Sequence, residues 1–308
     1  DVIWQIATGY FGCRSDDGSF DPEKFRSQAV DPQVRMIEVK LSQGAKPGTG
    51  GLLLGSKVSD VIAQQRDLPL GVDQRSPARH PDWLGPDDLI IKIEELREAT
   101  EWRVPIFVKM GATRVFDDVR LAWKAGADAV VVDGMEGGTG ASPDLLLEHT
   151  GIPTLAAVCE ARAALEDVGA YGKMQLIIAG GIRSGADAAK AIALGADAVY
   201  IGTAALIALN CNRPMYLDDY HALGTEPHAC HHCHTGRCPV GITTQDPALM
   251  QRLPIDEAAE RVTNFLHAMT LELQMLARAC GKAAVHDLDP EDMRARTLEA
   301  SMITGVPL

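Results

Sequence analysis

The sequence predicts an α/β fold, a (β/α)8 barrel of the TIM type, with its N-terminal strands outside the 308 residues. A cysteine-rich, cluster-binding loop and C-terminal helices complete it. Three observations predict this. Short apolar runs alternate along the chain with amphipathic stretches at helical spacing. One turn, Gly-Ala-Asp-Ala, occurs twice, at Gly126-Ala127-Asp128-Ala129 and Gly195-Ala196-Asp197-Ala198, as in a repeating β/α array. Glycine-rich, polar or ionisable residues follow strand after strand, which describes a barrel mouth. A dinucleotide-binding sheet would instead carry one Gly-x-Gly-x-x-Gly loop after its first strand, and the chain has none.

The strands are read at 36–41, 105–110, 129–133, 153–157, 176–179 and 198–202. Each run is continuous rather than alternating, as strands buried on both faces should be. Six strands leave two to be found for a closed barrel, and these are expected before Asp1. Between the strands, 87–100 carries Leu89, Ile90, Ile93 and Leu96 at helical spacing. Residues 117–125 and 186–194 are helices that stop at Gly126 and Gly195, a C-terminal signal. After Ala208 the periodicity fades. A long helix over 256–281 follows, with an apolar stripe of Phe265, Leu266, Met269, Leu273, Leu276 and Ala277. An acidic segment, 287–293, leads to a final helix. The organisation expected is a barrel over residues 1–209, a cluster-binding loop over 210–250 and helices packed on the barrel over 251–308.

Composition narrows the function. Hydrophobic residues are 46% and aromatic residues 5%, so the core is built from small and branched side chains. Lys+Arg number 29 against 42 Asp+Glu, a net charge of −13. That balance argues against nucleic acid and anionic membranes as partners. No run approaches the ~20 apolar residues of a membrane span, and the opening Asp1-Val2-Ile3-Trp4 has no basic segment of a signal peptide. Seven cysteines are a poor disulfide framework, and three lie within nine residues. A cytoplasmic protein with a metal site is the better reading.

Four constellations carry chemistry. Gly180-Gly181, followed by a helix, a strand and Gly202-Thr203, offers backbone N–H groups after two consecutive late strands. That is how β/α barrels hold a phosphate. The loop Gly137-Gly138-Thr139-Gly140-Ala141-Ser142-Pro143 lets the backbone approach a flat ring or an anion. Lys109 ends a buried strand, where it faces the mouth or stays buried at a cost; beside a flavin it would stabilise the anionic reduced ring. Cys230, Cys233 and Cys238-Pro239, with Cys211 upstream, resemble iron–sulfur ligation. The histidines among them leave a zinc site open.

These motifs resemble a known family. Gln5-Ile6-Ala7-Thr8-Gly9-Tyr10-Phe11-Gly12 is similar to Gln-Val-Ala-Ser-Gly-Arg-Phe-Gly of glutamate synthases. Gln43-Gly44-Ala45-Lys46-Pro47-Gly48-Thr49-Gly50-Gly51 resembles their Gln-Gly-Ala-Lys-Pro-Gly-Glu-Gly-Gly, Gly137–Pro143 their Gly-Gly-Thr-Gly-Ala-Ser-Pro, and Ala208-Leu209-Asn210-Cys211 and the stretch from Cys233 to Gly241 their cluster segment. The resemblance implies an FMN-binding barrel with an iron–sulfur cluster that reductively aminates 2-oxoglutarate. It adds Gln5 to the FMN contacts. It also implies that Lys40, Lys46 and Lys109 hold the carboxylates and polarise the imine.

Three departures accompany it. Two N-terminal strands of the family are absent, Thr49 replaces the loop glutamate, and a long insertion bearing Cys230 separates Cys211 from Cys233. A [3Fe-4S] cluster is favoured, with Cys233, Cys238 and preferably Cys230; four thiolates with Cys211 would allow [4Fe-4S]. A small separate synthase subunit is the arrangement of N-methylglutamate synthases, which use methylamine in place of ammonia. The partners implied are glutaminase-like and β-helix-type subunits in a hetero-oligomer. The rival readings are a nucleotide-binding barrel like inosine-monophosphate dehydrogenase and an electron-transfer or scaffolding subunit.

Overall fold

The computed structural model describes residues 1–138 and 142–308. Its strands are β1 (Val2–Ile6), β2 (Val34–Lys40), β3 (Leu52–Leu53), β4 (Gln74–Arg75), β5 (Ile106–Gly111), β6 (Ala129–Asp133), β7 (Gln175–Ala179) and β8 (Ala198–Val199). The β3–β4 pair is a separate small antiparallel ribbon. The other six form one sheet in the order β1-β2-β5-β6-β7-β8, every pair parallel. In a flat sheet β2 and β8, four strands apart, would stand about 19 Å from each other. Instead Met36 of β2 and Tyr200, just past β8, pack against one inward-facing cluster. The sheet is therefore curled into part of a barrel.

The helices are α1 (Pro22–Ala29), α2 (Asp60–Arg66), α3 (Pro86–Ala99), α4 (Val115–Lys124), α5 (Asp144–His149), α6 (Thr154–Asp167), α7 (Gly185–Ala193), α8 (Thr203–Ala208), α9 (Leu217–Ala222), α10 (Pro247–Met250), α11 (Ile255–Ala279) and α12 (Leu298–Thr304). None of the described helices is long and apolar enough to cross a membrane.

Successive strand side chains point to opposite faces. Ile106, Val108, Met110, Val130, Val132, Leu176 and Ile178 point outward into the main core beneath the helices. Phe107, Ala129, Val131, Ile177 and Ala179 point inward and pack with Met36 and Tyr200. Both layers explain the continuous apolar runs.

The repeated turn works identically at both sites. Gly126 and Gly195 take φ +85° and +118° to end their helices, a conformation costly for any residue with a Cβ. Asp128 then accepts the Ile106 N–H at 2.7 Å, and Asp197 the Leu176 N–H at 2.7 Å. Each aspartate thus clamps the first residues of the neighbouring strand.

One expected strand is a helix. Residues 153–157 begin α6, for which extended Pro153 is the N-cap. The run Leu155-Ala156-Ala157 belongs to a helical stripe that continues through the buried Val158, Ala161, Ala164 and Leu165. The count stays at six because Val2–Ile6 is a strand, aligned with β2 so that Gln5 lies opposite Glu38. Only Ile6 of β1 is fully buried, so its sequence lacks the signature of an inner strand.

The C-terminal helix α11 lies on α7. A Cβ at Gly185 would stand 2.3 Å from the Met269 carbonyl, and the Gly185 N–H donates to Glu272 at 2.8 Å. Lys92 of α3 is 5% exposed. Its Nζ lies 2.9 Å from Asp82, 2.6 Å from Glu95 and 3.9 Å from the centre of the Phe20 ring. Asp82 also accepts the Tyr10 hydroxyl at 2.6 Å. Removing one partner of a buried ion pair strands the others. Lys92→Met is accordingly expected to lower stability by about 3 kcal/mol, read from urea unfolding; an unchanged midpoint would show the pairs to be energetically idle.

Candidate active site

The carboxyl ends of the parallel strands converge on a cavity of about 1250 Å³. Lys40 and Lys109 end neighbouring strands and are direct register partners, so two ammonium groups enter the mouth side by side. Lys109 Nζ lies 3.6 Å from Asp133 and 5.7 Å from the centre of the Tyr200 ring. Lys40 Nζ donates to Gln43 at 2.8 Å. Burial pushes the Lys40 amine below the usual lysine range, and the charges of Lys109 and Lys46 push it further. Its backbone carbonyl meets His80 Nε2 at 3.1 Å, and burial lowers that imidazole to about 4. Lys46 is 6% exposed, and burial lowers it too. It is not on the wall of the large cavity.

Asp133 ties the mouth together. The Gly44 N–H donates to it at 3.1 Å, which fixes the loop bearing Lys46 against the end of β6. The Ser142 hydroxyl donates to the Ala45 carbonyl at 2.6 Å and holds the same loop.

Both expected phosphate loops line the cavity, as do Gly137 and Gly138; Thr139 lies outside the described residues. Gly180 and Gly181 have φ +101° and +72°. Thr154 braces them: its hydroxyl stands 2.9 Å from the Gly180 carbonyl and 2.7 Å from Glu136, which also accepts the Thr154 N–H. A Cβ at Gly202 would meet nothing within 4 Å, so the approach to Gly202-Thr203 is open. Gln5 is placed differently. Its amide donates to Glu38, and it borders a smaller cavity of about 460 Å³ that also contains Thr49 and shares Lys40 and Gln43 with the large one.

Of the four cysteines at 211, 230, 233 and 238, Cys230 and Cys238 pack in one small cluster with Tyr220 and Val240. Cys211 follows α8 between Asn210 and Asn212, both in the left-handed region. Burial and the other three thiols push Cys211 up to about 11. Burial raises Cys233 too. Burial opposes ionisation of Cys238, but hydrogen bonds from Thr243 and the N–H groups of Val240 and Ile242 outweigh it and lower this thiol. Three buried polar atoms without partners gather in this segment: Asn212 Oδ1, Tyr220 OH and His234 Nδ1. Such orphans need an occupant. Backbone N–H groups aimed at a sulfur fit thiolate ligation of a cluster. Among the described residues no three His, Cys, Asp or Glu side chains stand in metal-binding geometry. The segment therefore has the donors of a cluster site without their convergence.

Sequence reasoning left out several groups that shape the site: Glu38, Asp133, Thr154, Tyr200 and Arg261. Glu38 and Asp133 carried the same signal as Lys109, a charge within a continuous apolar strand. Arg261 carried a weaker one, four residues before Phe265 on a helix whose two residues both reach the cavity.

The family model described as a conserved region in glutamate synthase matches residues 1–283. A "Glutamate synthase large subunit-like protein" of Rhizobium meliloti is 57% identical over 98% of this chain and 72% of its own length. An "Archaeal glutamate synthase [NADPH]" of Methanocaldococcus jannaschii is 40% identical over 93% of this chain and 51% of its own, so the chain spans about half the length of that relative. Among solved structures, a lactate oxidase of Pediococcus acidilactici superposes with a TM-score of 0.51 at 15% identity, covering 93% of this chain and 58% of that one. A flavocytochrome b2 with benzoylformate gives 0.52 at 18%, covering 96% and 56%. At such identities these two support the α/β barrel fold alone. By its matched length and its sequence identity, the chain belongs to the glutamate synthase family.

Proposed function

We propose that this chain is the FMN-binding synthase part of a glutamate synthase-like enzyme, reductively aminating 2-oxoglutarate. The observation that carries the reading is the shared cavity: paired lysines at two strand ends face two glycine loops of the kind that hold a phosphate. FMN, when bound, supplies the hydride chemistry. Gly180-Gly181 and Gly202-Thr203 would hold its phosphate, with Gly137, Gly138, Thr139, Lys109 and Gln5 as its further contacts. Lys40 and Lys109 would bind the carboxylates of 2-oxoglutarate and draw electron density from its C2 carbonyl; the resemblance adds Lys46, which is buried off the wall of the large cavity. The amine adds at C2, water leaves and the carbon accepts a hydride. Burial suits Lys40 to give a proton to the departing oxygen, because an amine lowered below the usual lysine range is the readier acid.

Cys230, Cys233 and Cys238 would hold a [3Fe-4S] cluster, and Cys211 as well a [4Fe-4S] cluster, that relays electrons to the flavin. On this reading residues 1–209 form the barrel, 210–250 the cluster loop and 251–308 the helices packed on the barrel. Methylamine is the favoured amine, giving N-methylglutamate, on the resemblance to N-methylglutamate synthases; ammonia is the alternative. The same resemblance favours a cytoplasmic assembly with glutaminase-like and β-helix-type subunits.

One purified sample tests the reading. Visible spectroscopy and flavin extraction are expected to yield FMN. Electron paramagnetic resonance of the protein as isolated distinguishes the paramagnetic three-iron cluster from the silent four-iron one. Steady-state kcat/KM with 2-oxoglutarate is expected to favour methylamine over ammonia. Zinc without iron, or no flavin, would overturn the redox reading.

A further inference from the structure

We infer that Arg261, on α11, is a phosphate-binding residue of the flavin site, so that the C-terminal helix adds a cation to those of the barrel. The inference rests on the flavin reading above. Five cationic side chains line the cavity: Lys40, Lys109, Arg183, Lys190 and Arg261. The two lysines at the strand ends already face Gln43 and Asp133. Arg183 and Lys190 both lean on Asp187, at 3.5 Å and 3.3 Å, and are largely exposed. Arg261 differs. Its Nε and Nη2 are buried without a hydrogen-bond partner among the described residues, and Nη1 reaches Glu257 only at 3.5 Å. The side chain is 30% exposed, and in this rotamer Nε and Nη2 are closed to solvent; turned into the cavity, those two unpartnered N–H edges form the fork that grips a phosphate with two bonds.

The surroundings say why such a group is needed here. The N-terminal end of α7, beside Gly180-Gly181, would be the usual phosphate cradle. Here, however, the Gly185 N–H already serves Glu272 and the Arg183 N–H serves Asp187. Two carboxylates thus occupy donors that a phosphate would otherwise use, and their charges oppose a dianion. Helix α11 brings Glu272 to this place and, from its N-terminal part, brings Arg261 and Phe265 to the cavity wall. Arg261 lies eleven residues, about 16 Å of helix, from Glu272 and adds positive charge to the same cavity away from the two carboxylates.

The test compares FMN with riboflavin, which lacks the phosphate. Flavin-free protein is titrated with each, following quenching of flavin fluorescence. Wild-type protein is expected to bind FMN more tightly than riboflavin. Arg261→Gln is expected to weaken FMN by about 10- to 100-fold, as loss of a charged hydrogen-bonding pair implies, while riboflavin affinity stays at the wild-type value. Arg261→Lys, which keeps the charge and loses the fork, is expected to recover part of the FMN affinity. An unchanged FMN-to-riboflavin ratio in Arg261→Gln, or an equal loss of both flavins, overturns the assignment. A wild-type protein that does not prefer FMN overturns the flavin reading itself, and the two failures are thereby told apart.

Discussion

Replacing Gly181 with aspartate is expected to give a folded protein that no longer retains flavin. Gly181 has φ +72°, and a Cβ there would stand 3.0 Å from the Glu136 Cβ. The left-handed backbone alone costs about 1 kcal/mol for a residue other than glycine. The larger effect is electrostatic. A carboxylate would enter the cavity where the phosphate is proposed to lie, beside Glu136 and near Asp187. Pressure on Glu136 would also loosen its hold on Thr154, which braces the Gly180 carbonyl. Together these should weaken FMN by more than about 100-fold, or some 3 kcal/mol. Flavin content per chain after gel filtration reads the outcome, and full occupancy would remove the phosphate from this loop.

Lys109→Met should fold and lose amination. Methionine keeps most of the side-chain volume, so the inward layer beneath it stays packed. The charge beside the proposed substrate is lost, and kcat/KM is expected to fall by about 10²- to 10³-fold, the scale of removing a preorganised electrostatic group. Asp133, whose side chain is 8% exposed, is left buried without its cation, so the variant should also melt lower. Lys109→Met combined with Asp133→Asn separates the two effects: stability recovers and turnover does not. Wild-type turnover in the single variant would make Lys109 a bystander.

Much of this arrangement is legible in the residues, for physical reasons. Strands buried on both faces must be apolar throughout, which is why the runs ending at Lys109, Asp133 and Ala179 stand out. The same logic misled at 153–157, because a short apolar run after a proline fits a buried strand or the first turn of a helix equally well. Only the wider stripe from Ala157 to Leu165 separates them. Val2–Ile6 was hidden for the opposite reason, its edge position leaving most of its residues exposed. The glycine loops could be found one by one, and the fold brings them to one cavity. What sequence could not supply was which distant groups meet: Met36 and Tyr200 on one inward-facing cluster, Asp133 with Gly44, Arg261 on the wall of the cavity. Those depend on curvature and helix docking, which no local spacing records.

The clasp between Asp133 and Gly44 sets an order of events. One carboxylate oxygen serves both the Lys109 ammonium and the Gly44 amide. The loop has no room to slide, since any Cβ at Gly44 would fall 1.8 Å from the Gly134 carbonyl. An anion that draws Lys109 toward itself leaves Asp133 to the amide alone, with its charge no longer shared. The hydrogen bond that remains then tightens, and with it the loop that carries Lys46. On the proposed function the mouth is expected to grip harder as it fills, so that a dicarboxylate binding first would seat the loop of Lys46 before the amine. Initial-rate kinetics would show this as ordered addition, and random addition would mean that the clasp is indifferent to what Lys109 holds.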